Sequence, residues 1–256
     1  MHSTANVSQS LGCVELKKTF NGTVALAGIS FELPTQGIVA IIGPNGAGKT
    51  TLINILTGFL RPDSGSCQFR GRELTSLRAF EIARLGLART FQDARVVTEM
   101  SVLDNVKLAC PRAYPDRLWR AISGWGVRSA EERIQQCALE ALDFTGLQTE
   151  TSKPAGNLSY GQRKLLSLAC CFASGASALL LDEPVAGVHP EMADRIAGVM
   201  RKSADSGKLI VFIEHDIAMV RELADAVLVL DGGRLVVYGP AAEVLSRSEV
   251  AEAYLG

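Results

Sequence analysis

With only three histidines in 256 residues and no C-x-x-C pair, the chain offers neither a zinc-finger spacing nor a dithiol redox motif. Its six cysteines, at 13, 67, 110, 137, 170 and 171, have no histidines near them at metal-ligand spacing and read as reduced, mostly buried thiols of a cytosolic protein. An excess of one charge is also missing. Twenty-six basic against 27 acidic side chains leave a formal charge of -1, which argues against a nucleic-acid binder driven by a basic field. The longest low-charge stretch, residues 165–181, is diluted by Ser, Gly and Ala and falls short of the roughly 18 apolar residues of a spanning helix. The first ten residues, MHSTANVSQS, lack the basic start and apolar run of a signal peptide and read as a flexible N-terminus.

What is present is an alternation of short apolar runs with helical patterns, the mark of an α/β domain. GIVAII (37–42) is a compact buried-strand candidate. Behind it Leu52, Ile55, Leu56, Phe59 and Leu60 form the stripe of a helix that packs on a sheet. Further strand candidates are 178–182, 209–213 and 226–230, the last joined to RLVVY through the turn Asp231-Gly232-Gly233. These predict a mostly parallel sheet with an antiparallel portion. From Gln92 to Asn157 strand patterns nearly vanish, and two boxes, Ser101-x-x-Asp104 and Ser129-x-x-Glu132, each predict a helix start. The expected organisation is therefore one domain over 11–256, with a core at 11–91 and 159–256 and an inserted helical subdomain at 92–158. Within the insert, residues 110–128 mix arginines with Tyr114, Trp119 and Trp125. They read as a loop with snorkelling arginines, the alternative being a nucleic-acid or membrane surface.

Three motifs carry chemistry. GPNGAGKT (43–50) fits G-x-x-x-x-G-K-[ST] between a strand and an amphipathic helix. Its glycines let backbone N–H groups surround phosphate oxygens, Lys49 reaches the β- and γ-phosphates, and the Thr50 hydroxyl suits Mg²⁺. ALLLDEP (178–184) sets Asp182 and Glu183 at a strand's C-terminal end, where open α/β sheets bind ligands. Beside a phosphate loop, Asp182 serves the Mg²⁺ shell and Glu183 a water in line with the γ-phosphate. IEHD (213–216) ends the next strand with His215, placed to meet the same phosphate or water. NLSYGQRK (157–164) reads locally as a helix start, because Ser159 and Gln162 have the reciprocal capping spacing.

In order and spacing these elements, with Gln92 after LARTF, resemble the ATPase subunit of ABC transporters, a P-loop NTPase family, over nearly the whole chain from about residue 11. The resemblance implies ATP bound by Gly43, Pro44, Asn45, Gly46, Ala47, Gly48, Lys49, Thr50 and Thr51, with Phe20 stacked on adenine. It implies Mg²⁺ held by Thr50, Gln92 and Asp182, and catalysis by Glu183, His215, Lys49 and Gln92. It further implies a head-to-tail ATPase dimer, with itself or a paralogue, in which Ser159, Gly161 and Gln162 close over the partner's ATP.

ARTFQ (88–92), LSYGQ, EPVAGVHP (183–190) and AYLG (253–256) resemble the larger ATPase of the branched-chain amino-acid importer branch. The chain departs from the broad pattern at Tyr160, in place of the first signature glycine, and at His189, where many members carry Asp. The implied partners are two integral membrane permeases and, indirectly, a periplasmic or extracellular solute-binding protein, at the cytoplasmic face of the inner membrane. Urea, amides or aromatic acids are alternative solutes. A soluble ABC-type ATPase working on DNA or the ribosome is the reading from another class, and a catalytically silent nucleotide-gated adaptor is a third.

Overall fold

The computed structural model describes residues 11–90, 96–111 and 127–247. Gln92, the first ten residues, most of the 110–128 loop and the AYLG end lie outside the described residues. The chain divides into two compact units, one of Met1–Arg89, Ser177–Pro184 and Met200–Gly256, the other of Thr90–Ala176 and Val185–Val199.

The first unit carries the strands, in chain order β1 (Leu11–Phe20), β2 (Thr23–Glu32), β3 (Gly37–Ile42), β4 (Ser64–Phe69), β5 (Arg72–Glu73), β6 (Leu87–Arg89), β7 (Ala178–Asp182), β8 (Leu209–Ile213), β9 (Ala226–Asp231) and β10 (Arg234–Pro240). They form an antiparallel sheet β2-β1-β4-β5 and a six-stranded sheet β10-β9-β3-β8-β7-β6. The second sheet is parallel from β9 to β6, with β10 antiparallel at its edge. β7 and β8 are buried at every residue, as parallel strands covered on both faces require, which explains their unbroken apolar runs. One core joins both sheets, with Leu16, Ile29, Leu52, Leu56, Leu180 and Val211 among its members.

Register decides what shares an edge. Ile41 of β3 and Asp182 of β7 both lie opposite Ile213 of β8. The segments that follow these three strands, Gly43 onward, Glu183 onward and Glu214 onward, therefore leave the sheet at one C-terminal edge.

The helices, in chain order, are α1 (Lys49–Leu56), α2 (Ala79–Arg84), α3 (Val102–Ala109), α4 (Val127–Phe144), α5 (Tyr160–Ala173), α6 (Pro190–Asp205), α7 (Ile217–Leu223) and α8 (Ala241–Val244). Two predicted boundaries are corrected. The apolar stripe of α1 runs to Leu60, yet the helix stops at Leu56, because Gly58 takes φ 72 and the chain turns out, leaving Phe59 exposed. Ser129 lies inside α4, which already begins at Val127. The Ser101 box holds: its Oγ accepts from the Asp104 amide at 3.0 Å and opens α3.

In the second unit α3, α4 and α5 pack on one another, and the Phe144 and Phe172 rings stack with centroids 4.2 Å apart. Because α5 buries Leu165, Leu166, Leu168 and Ala169 in this packing, the unit continues past residue 158 to Ala176. The sequence-based boundary placed α5 with the core.

Candidate nucleotide site

Gly43–Thr50 joins β3 to α1 as a tight loop. At Gly43 an added Cβ collides with the Leu230 carbonyl of β9. Gly48 caps α1 in the left-handed region at φ 99, and a Cβ there meets the Ala25 carbonyl at 2.5 Å. Both positions exclude a side chain, so the loop is pressed against β9 and β2 with its outer surface free to wrap an anion. The Gly233 amide of the β9–β10 turn donates to the Ala47 carbonyl at 3.2 Å and supports the loop from behind.

Asn45, Gly46 and Thr50 are exposed, Pro44, Gly48 and Thr51 are half-buried, and Ala47 is buried. Lys49 is buried and folds back: its Nζ donates to the carbonyls of Gly43 at 2.6 Å and Pro44 at 3.0 Å. Burial holds its ammonium below the ordinary lysine range, opposed by the Glu183 and Asp182 carboxylates nearby.

Asp182 ends β7 almost wholly buried, and its Oδ2 accepts from Arg89 Nη2 at 2.9 Å. Arg89, on β6, also donates through Nη1 to Asn54 Oδ1 of α1 at 2.5 Å and approaches Thr57 Oγ1 at 3.5 Å. Glu183 follows with φ 49, an unusual conformation for a residue with a side chain. Its amide donates to the Ile213 carbonyl at 3.2 Å, and its Oε1 lies 3.1 Å from His215 Nε2. Asp216 beside it caps α7, its Oδ1 accepting from the Ala218 and Met219 amides at 2.8 and 3.3 Å. That cap fixes the turn that presents His215.

The first unit therefore brings the loop, Lys49, Asp182, Glu183 and His215 to one sheet edge. The Thr50 hydroxyl and the two carboxylates are hard oxygen donors, the kind that Mg²⁺ takes alongside substrate phosphates, so the donor set fits that ion. Phe20 ends β1 at the Asn21-Gly22 turn, exposed, with Lys18 Nζ 5.5 Å from its ring centroid. Arg89 and Asn54 are the participants that sequence reasoning missed. Arg89 stands in the quoted ARTFQ, but its partner is 93 residues away.

Ser159, Gly161 and Gln162 belong to the second unit and form a site of their own at the start of α5. The capping box is complete: Ser159 Oγ accepts from the Gln162 amide at 3.2 Å, and Gln162 Oε1 accepts from the Ser159 amide at 2.9 Å. Two of the orphan amides are thus satisfied, and those of Tyr160 and Gly161 point beyond the helix end. A Cβ on Gly161 runs into Met192 Cγ of α6, and one on Gly187 comes within 3.5 Å of the Tyr160 ring. His189 precedes α6, its carbonyl accepting from the Met192 and Ala193 amides at 2.9 and 3.0 Å.

Comparison with known proteins gives concordant matches. The ABC transporter family model matches residues 26–186. A protein of Archaeoglobus fulgidus named as the probable branched-chain amino acid transport ATP-binding protein LivG is 35% identical over 241 residues, covering 94% of this chain and 93% of the relative. Salmonella typhimurium LivG, named as a high-affinity branched-chain amino acid transport ATP-binding protein, is 36% identical over 98% of this chain and 99% of its own. Among solved structures, the ADP conformation of MJ1267, an ATP-binding cassette of an ABC transporter, superposes with a TM-score of 0.82 at 32% identity over 96% of this chain and 98% of that one.

Proposed function

Since the chain belongs to the ABC transporter family and is one of its ATP-hydrolysing subunits, we propose that it powers an importer for branched-chain or related amino acids. The observation that carries the catalytic part is the Glu183–His215 contact of 3.1 Å on the same sheet edge as the phosphate loop. The solute class rests on the names of the relatives.

In this reading the amides of Gly43–Thr50 hold the β- and γ-phosphates, Thr51 continues that wall, and Lys49 exchanges its two loop carbonyls for phosphate oxygens. Thr50 and Asp182, with Gln92, would hold Mg²⁺, which would supply positive charge against the phosphates. Glu183 accepts a proton from the water that attacks the γ-phosphorus, the bond to the bridging oxygen breaks, and ADP leaves. His215 orients Glu183 through its Nε2–H and would hand that same N–H to a γ-oxygen as charge moves. Phe20 offers a ring face to adenine. The catalysis is mostly positioning and electrostatics, so each member acts only while the others hold their places.

The start of α5 is the second half of the device. Its Tyr160 and Gly161 amides and the helix dipole suit a γ-phosphate bound to another copy or a paralogous ATPase, with Ser159 and Gln162 shaping the cap. Two integral membrane permeases bind the dimer at the cytoplasmic face, and a solute-binding protein acts through them. Among the described residues no helix is long and apolar enough to cross a membrane.

The test is phosphate release by the complex purified with its own permeases and reconstituted with its co-purifying binding protein. Stimulation by leucine, isoleucine or valine is expected. Stimulation by urea, amides or aromatic acids alone overturns the solute class, and recovery of the chain with ribosomes or DNA instead of a membrane protein overturns the transport role.

A further inference from the structure

The Arg89 guanidinium occupies a position that the reaction as described does not use. It is a two-ended brace. One arm reaches Asp182 Oδ2 at 2.9 Å at the end of β7, and the other reaches Asn54 Oδ1 at 2.5 Å on α1. The side chains of Arg89 and Asp182 are each only 7% exposed, so little water competes for the contact. α1 is the helix whose first turn carries Lys49 and Thr50. The brace thus links the two elements that carry the magnesium donors, the helix with Thr50 and the strand with Asp182, and it engages one carboxylate oxygen while leaving Oδ1 for a cation or water.

We propose that Arg89, with Asn54 as its anchor, is a positioning residue for the metal, setting the reach between the Thr50 hydroxyl and the Asp182 carboxylate. This rests on the assignment of Thr50 and Asp182 as magnesium donors. Groups that hydrogen-bond to a metal's ligands fix the ligands' orientation, and their loss commonly costs roughly 10- to 100-fold in metal affinity or activity. A planar guanidinium with separate N–H arms can hold two acceptors at a set distance, whereas a lysine ammonium is a single point charge.

Electrostatics alone predicts the opposite sign. Removing a cation beside Asp182 makes that carboxylate a better magnet for Mg²⁺, whereas removing a brace makes the donor pair a worse cage. The direction of the change in Mg²⁺ affinity therefore separates the two effects.

The experiment uses the full chain, without hydrolysis. Binding of a fluorescent ATP analogue is titrated with Mg²⁺ for the wild type and for Arg89→Met, Arg89→Lys and Asn54→Ala, each checked for native circular dichroism. The half-saturating Mg²⁺ concentration is expected to rise about tenfold in Arg89→Met, to rise nearly as far in Arg89→Lys, and to rise several-fold in Asn54→Ala. Asn54→Ala leaves the charge pair intact and keeps the test open if Arg89→Met does not fold. An unchanged or lower Mg²⁺ requirement in Asn54→Ala overturns the brace, as does wild-type behaviour of Arg89→Lys. Asp182→Asn and Thr50→Ala serve as the reference: if these keep the wild-type Mg²⁺ response, the donor assignment itself fails, independently of Arg89.

Discussion

His215 Nε2 stands 3.1 Å from Glu183 Oε1, and Glu183 holds that position with its backbone at φ 49. A non-glycine residue in this region costs on the order of 1–3 kcal/mol and persists only where its surroundings over-determine it. Here the Glu183 amide bonds to the Ile213 carbonyl of the neighbouring strand, and the carboxylate meets His215 Nε2. Strain at a carboxylate near Lys49 of the phosphate loop fits the general-base role proposed for Glu183.

Replacing the proposed base separates chemistry from binding. Glu183→Gln keeps the shape and a hydrogen bond to His215 but cannot accept the water's proton, so turnover in the assembled complex is expected to fall by about 10²–10⁴. ATP binding by Glu183→Gln is expected to exceed that of Lys49→Ala. Phosphate release and nucleotide titration check the pair, and wild-type turnover in Glu183→Gln overturns the assignment.

Ser159 tests assembly. It is exposed at the start of α5, in a unit separate from the one that carries the phosphate loop. Ser159→Arg is expected to leave ATP binding by the single chain unchanged and to abolish hydrolysis by the dimer, measured by nucleotide titration and phosphate release. Loss of binding by the single chain counts against a role on a partner's nucleotide.

Gly161 tests packing. Its missing side chain is the space that Met192 fills, so Gly161→Ala is expected to destabilise the protein by about 1–3 kcal/mol, the usual cost of overpacking. In a Met192→Ala background the same change is expected to cost less, because the colliding atom is gone. Denaturant unfolding of the wild type and the three variants measures the coupling, and strict additivity contradicts the contact.

Phe20 offers an exposed ring. Phe20→Ala is expected to weaken ATP binding about 10- to 100-fold, in line with roughly 1–3 kcal/mol for a base stacked on an aromatic side chain. Phe20→Trp is expected to restore it. Equal affinities for the three proteins in a calorimetric titration remove Phe20 from the adenine site.

The buried thiols predict an alkaline limit. Burial pushes Cys13, Cys170 and Cys171 from the ordinary 9.0 up to about 12, and Cys110 rises as far, chiefly by burial and then by its neighbour Cys137. Above 9.0 the unfolded chain releases protons that the folded chain keeps. The contribution is therefore fully present below pH 9 and is lost as pH climbs toward 12. Melting temperatures from pH 8 to 11 are expected to fall on the alkaline side, less steeply after Cys171→Ala. Rapid modification of all six thiols in the native protein at pH 8 contradicts this burial.

Much was legible without coordinates because it is local. The apolar runs 37–42, 178–182 and 209–213 are β3, β7 and β8 residue for residue, since a strand buried on both faces shows itself as an unbroken apolar run. The Ser159–Gln162 box involves residues three apart, so its chemistry is written in the spacing.

Pairings across the sheet were decided elsewhere. β6 and β7 are neighbours although Arg89 and Asp182 are 93 positions apart, and no periodicity states which parallel strands lie side by side. The Arg89–Asn54 brace and the Glu183–His215 contact depend on such placement, and the fit of Gly161 on Met192 depends on the packing of two helices. The early end of α1 is a local matter instead, since Gly58 in the left-handed region overrides an apolar stripe that continues past it. Residue types and their spacing determined the strands, the loop and the cap by themselves, because short-range hydrogen bonding and burial act on neighbours in the chain. Which charged groups meet at the sheet edge was decided only by tertiary structure, because strand order and register set distances between residues that the sequence keeps far apart.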